Sequence, residues 1–153
     1  MQPVCELLEQ PAQPAVAIRT WTSAGDLPRV LGQTFSSLAQ FLAEKGTRPS
    51  GPPFVAYYNM DMQNLDIEIG FPVPEKLEGQ GAVRASRIPG GRLAACTYTG
   101  PYQDMAPAYD ALARMVREQG LKATGVAYEI YLNDPQTTPP GELQTRILFP
   151  LKG

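Results

Sequence analysis

The chain contains a copy of itself. Residues 65–73 (LDIEIGFPV) return as 143–151 (LQTRILFPL), 55–59 (VAYYN) as 129–133 (EIYLN), and 20–22 (TWT) as 97–99 (TYT), at offsets of 78, 74 and 77. Such a repeat constrains the fold before any single motif does, because each copy should form the same supersecondary unit. Leu31, Phe35, Leu38 and Leu42 lie at spacings of 4, 3 and 4, one stripe of an amphipathic helix. Met105, Tyr109, Leu112 and Val116 repeat that stripe 74 residues later. Gly46 and Gly120, also 74 apart, stand just past the two helices, where left-handed backbone favours glycine. Asp26 and Asp104 are the expected N-caps, with Pro28 and Pro107 suited to a first turn.

Each copy reads strand, strand, helix, strand, strand. The strands are expected near 3–9, 15–22, 54–60 and 65–72, then near 82–88, 92–99, 126–133 and 143–150. Proline and glycine mark turns at 10–14 and 89–91, a joining stretch at 74–81 and a loop at 134–142. The expected class is α+β, with duplicated β-β-α-β-β units forming an antiparallel eight-stranded sheet with two helices on one face. Residues 1–153 read as a single domain, with one repeat over about 1–76 and the next over about 80–153. The sheet face without helices is the expected seat of function.

Composition narrows the chemistry. Thirteen basic residues stand against fifteen acidic ones, and no basic run of five occurs, so direct nucleic-acid binding is not expected. There is no histidine, which removes Ser-His-Asp and Cys-His nucleophiles and histidine-containing metal sites. Cys5 and Cys96 are too few for a zinc site and too far apart for a CxxC motif, and read as two reduced thiols. No signal-peptide pattern and no membrane-length apolar run is present. The expectation is a cytoplasmic protein with no metal, no cofactor and no membrane association.

Strand alternation then sorts the side chains. Over 126–133, Val126, Tyr128, Ile130 and Leu132 share one face and are expected against the helices; Glu129 and Tyr131 are expected on the open face. Val55 and Tyr57 fall on the open side by the same logic. Over 15–22, Val16 and Ile18 are expected against a helix, and Ala17, Arg19 and Trp21 on the open face. Matching TWT to TYT makes Ala94, Cys96 and Tyr98 the counterparts of that open set. If the halves pack about a pseudo-twofold axis, Trp21, Tyr57, Tyr98 and Tyr131 converge on a groove around Glu129. The repeat places Val55 where Glu129 stands, so the acid is not demanded by the fold. Spacing alone leaves two readings: a solvated edge glutamate beside structural tyrosines, or an aromatic box with one acid, suited to an organic cation.

Other acids carry less. Asp66 and Glu68, two apart, read as a solvated strand face rather than a catalytic pair. Arg146 occupies the position equivalent to Glu68, which suggests a salt bridge across the halves. Gly100-Pro101 is a turn into the second helix, with Tyr102 a candidate rim residue of the groove.

The segments 97–102 (TYTGPY), 104–118, 128–135 (YEIYLNDP) and 142–151 (ELQTRILFPL) resemble the GyrI-like small-molecule-binding domain, and the resemblance covers essentially the whole chain. This domain forms the effector-binding part of multidrug-responsive regulators such as BmrR and of AraC-type regulators such as Rob. The resemblance implies two such modules side by side with ligand between them, and a pocket glutamate at Glu129 that contacts cationic, lipophilic ligands. It leaves three activities open: a stand-alone binding module for aromatic or cationic small molecules, a hydrolase of strained cyclopropanes using Glu129 as general acid or base, and a gyrase-modulating protein. Some members are fused to a DNA-reading domain; because the resemblance runs from the first strand to the last, none is expected here, and a regulatory role is expected to need a separate partner. A protein partner is permitted by the sequence but not indicated by it.

Overall fold

The computed structural model describes residues 4–152, and within them the chain is α+β, with eight strands and two α-helices. In chain order these are β1 (Val4–Gln10), β2 (Gln13–Thr22), α1 (Leu27–Glu44), β3 (Phe54–Tyr57), β4 (Leu65–Pro72), β5 (Arg84–Ile88), β6 (Gly91–Thr99), α2 (Ala106–Glu118), β7 (Ala127–Tyr131) and β8 (Gln144–Pro150). Among the described residues no helix is long and apolar enough to cross a membrane.

Both helices end the way their glycines dictate. Gly46 (φ 67°) and Gly120 (φ 71°) take left-handed backbone. The amide of Gly46 donates to Ala43 O and that of Thr47 to Leu42 O; Gly120 to Arg117 O and Leu121 to Val116 O repeat the pattern. These paired bonds satisfy carbonyls the helix would otherwise leave open. The starts differ from expectation. Asp26 sits at the N-cap of α1 but makes no side-chain cap bond, and Met105 rather than Asp104 caps α2. Asp104 is instead taken into a 3-10 turn, Tyr102–Asp104, built on Pro101.

The chain forms two compact units, and they cut across the repeat. One is Met1–Pro11 with Gly90–Gly153; the other is Ala12–Pro89. The turn expected at 10–14 does not close a hairpin. β1 pairs with β6 and β5 pairs with β2, so each unit takes its first strand from the other half of the sequence. Pro11 and Pro14 hold φ at about −65° and so oppose the positive φ of the tight turns that close two-residue hairpins.

In the first unit the strand order is β1-β6-β8-β7, antiparallel throughout. Register sets Cys5 opposite Cys96, Cys96 opposite Ile147, and Ile147 opposite Glu129. This row faces α2, whose Ala108, Leu112 and Val116 bury themselves against Ala94, Cys96 and Ile147. The side assignment made from alternation is therefore reversed: Glu129 and Tyr131 lie on the helix-bearing face, and Tyr128 lies on the other. The cause is that both faces are buried. Leu93, Ala95 and Leu148, opposite to α2, are as inaccessible as Cys96. An apolar face therefore did not identify the helix side.

In the second unit the order is β3-β4-β2-β5, again antiparallel. α1 covers the face of Val16, Ile18, Ile69 and Val55, with the Phe35 ring 5.4 Å from that of Phe71. The opposite face holds an ionic cluster where a solvated strand face was expected. Asp66 and Glu68 are buried. Arg19 grips Asp66 with two bonds of 2.7 Å and stacks over Tyr58, 3.8 Å from the ring centre. Tyr58 and Ser86 donate to Glu68. Arg146, expected to reach Glu68, bonds Glu6 and Thr97 instead.

The hydrogen bonds from Arg19 hold the Asp66 carboxyl below its ordinary value of 3.8, against the opposing effect of burial. A carboxylate depressed on folding adds stability above its unfolded pKa and loses it as pH falls through its folded one. Asp66→Asn is expected to cost about 2 kcal/mol at pH 7. That difference should shrink on acidification below about pH 4, as read by urea unfolding across pH.

Candidate functional site

Glu129 is the centre of the first unit's polar chemistry. It sits mid-strand in β7, a poor setting for glutamate unless its carboxylate is satisfied. The α2 helix supplies one partner, since the Tyr109 hydroxyl donates to Oε2. Tyr131, two residues along the same strand face, donates to Oε1 over 2.8 Å. Tyr102 stacks against Tyr131 with ring centres 5.5 Å apart, and Phe149 lies 5.8 Å from Tyr109. The result is one carboxylate among four aromatic rings.

Burial pushes the Glu129 carboxyl above the usual carboxylate range, and the two phenol hydrogen bonds only partly offset this. Among the described residues no lysine or arginine pairs with it. Burial also raises the Tyr102 phenol, helped by the charges of Asp134 and Glu129. The group can therefore hold a proton more readily than a surface acid, or attract a positive charge that arrives without its water.

The six residues expected at the site are distributed over both units. Glu129, Tyr131 and Tyr102 come together. Tyr98 shares their face, in the row Tyr98–Thr145–Tyr131, but its hydroxyl is engaged with Pro101 O at 2.7 Å. Gly100 permits this: its φ is 145°, and a Cβ there would stand 2.7 Å from the Tyr98 oxygen. Trp21 and Tyr57 belong to the other unit; Trp21 is 56% exposed on β2, and Tyr57 is half-buried on β3. The match of Trp21 to Tyr98 was one residue out. Sheet register aligns Thr20 with Ile67 and Tyr98 with Thr145, so Tyr98 corresponds to Thr20 and Trp21 to Thr99. A slip of one residue changes the face.

Sequence reasoning missed Tyr109, although the repeat carried its signal. Tyr109 stands where Phe35 stands in the first copy, and Glu129 where Val55 stands. The rows Ile18–Ile69–Val55 and Cys96–Ile147–Glu129 are otherwise equivalent. One copy has a phenylalanine and a valine at these positions; the other has a hydroxyl added to the ring and a carboxylate placed to accept from it. Thr145 was also missed. It is wholly buried between Tyr98 and Tyr131, and its hydroxyl has no hydrogen-bond partner among the described residues. An unmet buried hydroxyl beside a desolvated acid is a local cost that packing alone does not explain. A depression of about 370 Å³ at the end of α1, lined by Leu42, Thr47 and Arg48 among others, has no comparable grouping.

An acid raised on folding lowers stability as pH rises from its unfolded pKa towards its folded one. Glu129→Gln is therefore expected to stabilise the protein at pH 7, by about 1 kcal/mol. The gain should vanish below about pH 4, where both states hold the proton; thermal unfolding of both proteins at the two pH values measures it.

Several solved structures share this fold. The EcmrR C-terminal domain aligns with a TM-score of 0.79 at 21% identity, covering 99% of both chains. EcmrR in its DNA complex gives 0.85 at 20% identity, with 99% of this chain covered but only 58% of that one, so the chain spans little more than half of it. A hydrolase from Listeria innocua gives 0.72 at 15% identity, covering 99% of this chain and 92% of that one. SAV2435 bound to tetraphenylphosphonium gives 0.57 at 10% identity, covering 98% and 94%. No curated protein sequence matches. The model of the GyrI-like small molecule binding domain matches residues 3–152, the same span over which the doubled strand–helix pattern runs, and the chain belongs to that family.

Proposed function

We propose that this chain binds aromatic, lipophilic cations at a site centred on Glu129, with Tyr102, Tyr109, Tyr131 and Phe149 as its rings. The observation that carries the reading is a carboxylate in a largely desolvated aromatic setting whose hydrogen-bond partners are two phenols. Phenols stabilise the charge without neutralising it. A lipophilic cation would supply the missing charge at little desolvation cost, and the rings would add cation–π attraction of about 0.5–2 kcal/mol each. Micromolar affinity requires about 8 kcal/mol in favour of binding. One desolvated ion pair and two or three ring contacts can supply that after the ordering cost. The SAV2435 complex with tetraphenylphosphonium agrees with this ligand class at the level of fold.

Tetraphenylphosphonium is the direct probe. Calorimetric titration is expected to give a micromolar dissociation constant, weakened about 10- to 30-fold in Glu129→Gln, the loss of one buried charge pair. Tyr109→Phe, which removes one donor to the carboxylate, is expected to weaken binding less. Affinity should rise with pH as Glu129 ionises, because the cation requires the carboxylate form. Equal affinity in wild type and Glu129→Gln at every pH would remove the reading.

A hydrolytic reading has one specific support: the raised Glu129 carboxyl, hydrogen-bonded by two phenols, has the character of a general acid or base. Water adding to a strained cyclopropane would need only such a group, since ring strain already lowers the barrier. Incubation with a cyclopropane-bearing alkylator is expected to yield product heavier by one water over many turnovers, and Glu129→Gln to abolish it. Recovery of unchanged alkylator, or its covalent attachment to the protein, would exclude turnover.

A further inference from the structure

Cys5 and Cys96 are distant in sequence and adjacent in space. β1 and β6 set them directly opposite one another in an antiparallel ladder. Cα atoms so placed are about 4.5–5.5 Å apart, inside the range that a disulfide spans. Both are free thiols. They are unequal. Cys5 is half-buried on β1, whereas Cys96 is wholly buried against α2. Burial, with the neighbouring Cys5, pushes the Cys96 thiol up to about 12.

We propose that Cys5 and Cys96 form a modification site that becomes an intrachain disulfide by exchange with a small-molecule disulfide of the glutathione type. The order of events follows from access. The Cys5 thiolate attacks one sulfur of the external disulfide, forming a mixed disulfide and expelling one thiolate. The Cys96 sulfur then attacks the Cys5 sulfur, and its proton passes to the departing sulfur, so that the second equivalent leaves as a thiol. Two cysteine thiols are oxidised by two electrons, and one external disulfide is reduced to two thiols. The raised Cys96 thiol makes the second step the slow one.

The bond would matter because of where β1 lies. β1 pairs with β6 at the edge of its unit, and its Val4 and Leu7 side chains are exposed. The ladder to β6 holds in place a strand that arrives from the far end of the sequence. A Cys5–Cys96 bridge would close a ring containing all of Ala12–Pro89 and fasten β1 covalently to β6.

The test treats the folded, reduced protein with oxidised glutathione in the absence of denaturant. Expected are a mass lower by two hydrogen atoms, a non-reduced peptide joining Cys5 to Cys96, and a rise in Tm of about 5–10 °C reversed by dithiothreitol. Cys96→Ser should stop at one glutathionyl adduct on Cys5, and Cys5→Ser should react far more slowly. A stable adduct on Cys5 in wild type, a bridge formed only in denaturant, or disulfides between chains would each overturn the proposal. These outcomes are independent of cation binding at Glu129.

Discussion

The ladder joining β6, β8 and β7 decides the character of this protein, because register decides face. With Cys96, Ile147 and Glu129 held in one row, a carboxylate is carried beneath α2 into a cluster of aromatic rings. Shifting β7 by one residue would send Glu129 and Tyr131 away from Tyr109 and bring Tyr128 and Ile130 beneath the helix. The core would remain apolar, but the Tyr109 hydrogen bond would be lost, and of the two phenols that donate to the acid only Tyr131, on the same strand, would still reach it.

The same row in the other unit shows what the fold asks for when no chemistry is placed there. Val55, wholly buried, fills the position of Glu129, and Phe35 meets Phe71 edge-on where Tyr109 meets Phe149 at a tilt. Replacing valine with glutamate in such a setting is unfavourable by several kcal/mol unless hydrogen bonds follow. Tyr109 and Tyr131 provide them, yet burial still dominates and the carboxyl stays above its usual range. A polar group kept at a cost that its own copy avoids is the feature on which the proposed cation site rests.

The second unit treats its charges differently. Arg19 and Asp66 meet as a bidentate pair, with Tyr58 stacked on the guanidinium and Glu68 held by two hydroxyls. Here the strongest interaction lowers the Asp66 carboxyl, whereas at Glu129 burial wins and raises it. Asp66 is bound to a cation of its own chain. Among the described residues the side-chain donors to Glu129 are two neutral phenols. That difference separates a structural ion pair from a carboxylate open to an incoming charge.

Much of this was legible in the sequence. The repeat, both helix stripes and the glycines that end them are local patterns, and all eight strands fall within a few residues of their expected places. Glu129 stood out because its copy is Val55. Three things were not legible. The exchange of β1 and β5 between units depends on pairings 67 to 93 residues apart, which no local pattern encodes. The burial of Asp66 and Glu68 depends on Arg19, a long-range partner. The face that carries Glu129 depends on which side of a doubly buried sheet receives the helix. Sequence by itself determined which elements form and which residue is out of place, since periodicity and repeat are properties of the chain. Only the tertiary structure decided who meets Glu129, because the Tyr109 hydroxyl reaches it from another element across the core.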